Sequence, residues 1–179
     1  LGIDNGALST GTAVQVSGVI SGSGAFTKDG SGTLTLSATN TFSSSTTVTA
    51  GTLAIASDSN LGSGTLSLDG GTLALTGATT LDNAITLGSN GGTLNTGAAA
   101  TVSGVIAGSG SLTKTGSATL TLSATNTFSG DTTVSAGTLA LSGGHSLDDI
   151  GSVNVASGAT LSLGSDETIG SLDGAGNVV

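Results

Sequence analysis

The 179-residue sequence contains no cysteine, proline, methionine, tryptophan, tyrosine or arginine, and its only aromatics are Phe26, Phe42 and Phe128. Without cysteine there is neither a disulfide framework nor a thiolate metal site. With so few aromatics, each of which normally buries a large area, a wide globular core has little to fill it. Positive charge is almost missing: Lys28 and Lys114 stand against eleven acidic residues, giving a net charge of −9 and a pI near 4.1. Binding to nucleic acid rests on neutralising phosphates with Lys and Arg. The composition therefore excludes that partner, and with it a basic membrane-surface patch. No uninterrupted apolar run approaches the roughly 18 residues of a spanning helix, so no membrane insertion by this segment is expected.

What the chain has is glycine (32 residues), many threonines and serines, and an aliphatic content that brings hydrophobic residues to 36% and the mean hydropathy to +0.37. Disordered segments are poor in aliphatics and rich in charge, so this composition describes a folded chain with a narrow core. It also repeats. Val16 to Ile55 returns as Val102 to Leu141, displaced by 86 residues, with 31 of 40 aligned positions identical. Leu172 to Val178 matches Ile106 to Leu112 in pattern and opens a third copy. The expected organisation is one segment over 1–179, with repeats at about 16–101 and 102–171 and the start of another at 172–179.

A shorter beat runs inside the long one. Thr-Leu pairs recur at 33–34, 52–53, 72–73, 93–94, 119–120, 138–139 and 160–161, in steps of 19, 20, 21, 26, 19 and 22 residues. Around them, runs such as Thr33-Leu34-Thr35-Leu36 and Thr72-Leu73-Ala74-Leu75 alternate polar or small with aliphatic residues, the period of a strand with one face buried. Gly-rich corners such as Asp29-Gly30-Ser31-Gly32 and Asp69-Gly70-Gly71 separate them. Short strands, corners and a beat near twenty residues predict an all-β fold, a right-handed parallel β-helix of about eight turns. A β-sandwich fits the strand spacing but not a register that recurs at 86. Leu34, Leu53, Leu73 and Leu94 are expected to stack as one interior ladder continued by Leu120, Leu139 and Leu161, with a wider turn at the 26-residue step.

Two stretches carry a family likeness. Asn126-Thr127-Phe128-Ser129-Gly130-Asp131-Thr132-Thr133-Val134-Ser135-Ala136-Gly137-Thr138-Leu139 and its partner from Asn40 to Leu53 resemble the passenger-associated transport repeat of bacterial autotransporters. Ser59 to Leu73 resembles the segment that commonly follows it; Ser44 and Ser45 depart from the pattern by replacing Gly and Asp. The resemblance implies a fragment of a longer passenger, a β-helical stalk that is extracellular or displayed on the bacterial cell surface. It further implies a host or surface receptor of unknown identity, or self-association by lateral stacking; the uncovered strands and core at the ends of a β-helix add the expectation of end-to-end stacking.

Candidate chemistry is sparse. His145, the single histidine, lies near Ser146, Asp148 and Asp149, but a triad is a matter of spatial roles, and the expected reading is a solvated loop. Asp148 and Asp149, with Asp131 or Asp166, suggest at most adventitious cation binding, since the glycine-rich repeat of calcium β-rolls is missing. Polysaccharide-acting β-helices gather carboxylates in one groove, whereas Asp29, Asp58, Asp69 and Asp82 are spread over corners. Lys28 and Lys114 recur at one repeat position and read as turn residues. A Thr-rich face for ice or crystal surfaces needs outward Thr pairs on successive turns, and Ala or Asn after Leu53, Leu73 and Leu94 breaks them. The expectation is a non-enzymatic spacer with no catalytic, cofactor or metal residues. Its alternatives are a polysaccharide-acting enzyme fragment and a Thr-rich surface-binding solenoid.

Overall fold

A computed structural model describes residues 6–144, 146–147 and 150–179. The alternating runs become short strands, and each strand inside a sheet pairs in parallel with the strand one coil earlier and one coil later. Three sheets result. The first has seven strands, from Gly6–Ser9 and Phe26–Asp29 to Thr127–Phe128; the middle has nine, from Val14–Val16 and Thr33–Leu36 to Ser171–Gly174. The third has six, from Thr79–Leu81 and Ala100–Val102 to Asn177–Val178. Among the described residues the one helical element is the short 3-10 turn Asp58–Asn60. The chain is a parallel β-solenoid whose nine middle-sheet strands make eight coil-to-coil steps. At the usual strand spacing these span roughly 40 Å.

Period two decides what points inward. Thr33–Leu36 and Thr72–Leu75 bury both aliphatics and leave both alternate residues half-buried. The interior is one cluster of Leu, Ile and Val closed by Phe26, Phe42 and Phe128. Phe26 and Phe42 pack with ring centroids 6.1 Å apart. Corners turn where a side chain is not tolerated: Gly51 has φ +64°, and a Cβ there would stand 2.4 Å from the carbonyl oxygens of Gly30 and Gly32.

The interior ladder runs Leu34, Leu53, Leu73, Leu94 as expected, but its next rung is Lys114, followed by Val134 and Val155. Leu120, Leu139 and Leu161 stack in the third sheet beneath Ala100. The 26-residue step is thus no wide turn. It is the beat passing from one face to the next while each coil keeps its length, Leu94 and Lys114 being 20 residues apart. The long repeat therefore measures four coils and one face. Phe26–Asp29 lies in the first sheet and its counterpart Leu112–Thr115 in the middle one; Thr33–Leu36 lies in the middle sheet and Thr119–Leu122 in the third. The motif that holds Gly22, with φ of 124°, returns at Gly108 and Gly174, with φ of 116° and 111°, in the first sheet at Ile106–Gly108 and in the middle sheet at Ser171–Gly174.

Candidate functional site

The polar groups that the solenoid draws inward are the most unusual chemistry in the molecule. Phe26–Asp29 and Leu112–Thr115 alternate in and out like any other strand, and the parity points Lys28 and Lys114 inward. Both lysines are fully buried. They are strand residues closing a corner from inside, which corrects their reading as turn residues. Lys28 Nζ donates to the carbonyl oxygens of Asp29 (2.8 Å), Gly30 (2.7 Å) and, one coil on, Ala50 (3.1 Å). Lys114 Nζ repeats the triad with Thr115 (2.7 Å), Gly116 (2.8 Å) and Ala136 (3.0 Å). Three donors meet three acceptors, which is what a buried ammonium requires. Burial lowers the Lys114 pKa to about 8. Burial also lowers that of Lys28, against an opposing pull from the Asp29 carboxylate.

Asparagines provide the second inward set. Asn126 Oδ1 accepts from Ile106 N (2.8 Å) and its Nδ2 donates to Ser146 O (2.6 Å), tying three coils together. Asn40 does the same between Ile20 N and Asn60 O, 86 residues earlier. Asn83 donates from Nδ2 to Gly62 O and Gly64 O, both at 2.8 Å, and its buried Oδ1 has no partner.

The corner carboxylates act as ties between coils. Asp69 Oδ1 accepts from Asn90 N (2.9 Å), Asp131 Oδ1 from Ser152 N (3.0 Å), and the two oxygens of Glu167 from Ser146 N and Leu147 N (2.9 Å each). Asp58 Oδ1 accepts from Asp82 N at 3.2 Å. The Asp58 pKa is raised by burial, opposed by the hydrogen bond from the Asp82 N–H and aided by the Asp82 charge. Among the described residues no three carboxylates or imidazoles stand close enough to hold a metal ion. His145, Asp148 and Asp149 lie outside the described residues. A notch of about 90 Å³ opens beside Gly70 and Asn90, with Thr93, Ser111 and Thr113 in its wall. Small-molecule sites commonly measure about 300–1,000 Å³.

Outside, the middle sheet presents Thr33, Thr52, Thr72, Thr93, Thr113 and Thr133 in one unbroken rank. The neighbouring rank, Thr35, Ala54, Ala74, Asn95 and Thr115, is interrupted as the sequence indicated. Single-file threonine is thus continuous and paired threonine is not.

Sequence reasoning missed the lysine and asparagine caps. The signal was present for two pairs: Lys28 and Lys114, like Asn40 and Asn126, recur at 86, and the lysines fall on the inward parity of their strands.

The family model described as the passenger-associated-transport-repeat matches residues 26–55 and 112–141. Each match runs from the strand carrying a buried lysine to the strand just past its cross-coil acceptor, Ala50 or Ala136. No curated protein and no solved structure matches the chain. The two matches cover 60 of the 179 residues and both lie within the parallel β-solenoid, a combination consistent with the passenger domain of an autotransporter.

Proposed function

We propose that this chain is a length of autotransporter passenger, extracellular or held at the bacterial surface, that serves as a non-catalytic spacer. The observation that carries the reading is the pair of passenger-associated repeats set into an uninterrupted solenoid, where every coil extends the same rod. The dispersed carboxylates support it: where two of them meet, at Asp58 and Asp82, they are joined through a backbone N–H. The test is to duplicate the 86-residue unit. Scattering should show a rod longer by about 21 Å, four and a third coil spacings, with the melting profile kept. Cleavage of a polysaccharide substrate that disappears in Asp58→Asn would replace the spacer reading with the enzymatic one.

Adhesion or lateral self-association of the rods is the finer reading, favoured by the uncharged Thr33–Thr133 rank. The described carboxylates are all at least partly exposed and both lysines are buried, so the exposed side-chain charge among the described residues is negative. Rods of like charge repel less when salt screens them or when the pH approaches 4. Sedimentation should show association growing under both conditions and weakening in Thr72→Asp/Thr93→Asp; association indifferent to these substitutions would place the contact elsewhere.

A further inference from the structure

Segments that agree at 31 of 40 positions occupy different faces of this solenoid, so the alternating aliphatic pattern does not by itself say which stretch of one coil lies on which stretch of the next. A two-residue slip keeps the inward or outward parity of each strand residue. The buried ammonium groups are not indifferent to such a slip. Of the three acceptors of Lys28, Asp29 O and Gly30 O belong to its own corner and travel with it, while Ala50 O belongs to the next coil. Lys114 has the same division, with Ala136 O as its cross-coil acceptor. The receiving corner is shaped for the contact. Gly51, next to Ala50, turns at φ +64°, and a Cβ there would lie 2.9 Å from Lys28 Nζ. Gly137 turns at φ +66° beside Ala136.

We propose that Lys28 and Lys114 are register keys: each admits the following coil in the single alignment that brings the Ala50 or Ala136 carbonyl to its ammonium. In a slipped alignment the local acceptors remain and the third donor faces a dry corner without a partner. Replacing buried polar groups by aliphatics of similar volume often leaves stability unchanged or raises it, while one buried polar residue fixes register in coiled coils. The same separation of stability from register is expected here, once per 86-residue repeat.

The absence of native cysteine allows a direct test by crosslinking. Thr27 pairs with Thr47 and Thr113 with Thr133 across adjacent coils. In the native register, Thr27→Cys/Thr47→Cys should close a disulfide on mild oxidation. Thr27→Cys/Thr49→Cys and Thr27→Cys/Ser45→Cys should not, because a two-residue offset along the strand carries the Cα atoms beyond about 7 Å. Introducing Lys28→Met should leave the β-sheet circular dichroism and the melting temperature at or above their starting values. The off-register disulfides should rise by about tenfold or more, the population factor that one hydrogen bond to a charged group represents. Lys114→Met with Thr113→Cys/Ser135→Cys is the matching experiment in the second repeat. Exclusive native crosslinking in both Met variants would overturn the proposal, and so would failure of both to fold, which would make the lysines stability elements.

Discussion

Leu94 and Lys114 are partners on adjacent coils of the middle sheet, both fully buried, so the ammonium stem extends an aliphatic ladder while its head reaches the corner carbonyls. That placement lowers the Lys114 pKa from 10.5 to about 8.

The sign of the resulting pH dependence follows by linkage. Between about pH 8 and 10.5 the unfolded chain holds more protons than the folded one, so stability rises with pH across that window and is lowest below it. Lys28 shifts in the same direction. The sequence has no Tyr, Cys or Arg to titrate nearby. Urea midpoints at constant ionic strength should increase from pH 7.5 to pH 10.5 by a stability equivalent of about 1–3 kcal/mol. Most of the increase should vanish in Lys114→Met. A midpoint that falls over this range contradicts the burial of the lysines.

Leu73 lies between Leu53 and Leu94 with no exposure. Leu73→Ala should cost about 2–5 kcal/mol, the transfer and cavity terms together. Thr72→Ser, on the half-buried outer side of the same strand, should change the melting temperature little. Equal losses in the two variants would mean that inside and outside have been exchanged.

Two glycines with positive φ separate strain from crowding. At Gly158, with φ +82°, a Cβ would have nothing within 4 Å, whereas at Gly51 it would meet the carbonyl oxygens of Gly30 and Gly32 at 2.4 Å. Gly158→Ala should cost roughly 1–2 kcal/mol, the left-handed penalty alone. Gly51→Ala should cost clearly more, because backbone must move. Denaturant unfolding of the two variants compares them directly.

Asn126 supplies an acceptor to Ile106 N and a donor to Ser146 O, both buried contacts. Asn126→Ala leaves two backbone groups unpaired and should destabilise by about 2–4 kcal/mol. Hydrogen exchange should show loss of protection at the Ile106 amide first. Retained protection there would assign that N–H another acceptor.

The inside and outside of every strand were legible locally, because alternation over four residues is a property of the strand itself. Thr33–Leu36 buries the residues its pattern points inward, and so does Leu112–Thr115, lysine included. The cysteine-free, aromatic-poor composition and the twenty-residue beat were likewise enough for a parallel solenoid. The lysines, whose recurrence at one repeat position beside a glycine corner reads as a turn, point inward instead; only the corner carbonyls of the folded coil, at 2.7–3.1 Å from Nζ, make an inward ammonium tolerable.

Which ladder a leucine joins is a different kind of question. Leu120 repeats Leu34 in nearly identical surroundings, yet Leu34 belongs to the middle sheet and Leu120 to the third. A period-two pattern is satisfied by any of the three faces, so face cannot be read from neighbours in sequence. It accumulates around the coil: four coils carry Leu34 to the level of Lys114, and six more residues round the corner bring Leu120 to the next face. The sequence alone determined strand, parity and coil length, which are local. The tertiary structure decided face and register, because those depend on hydrogen bonds to the coils before and after.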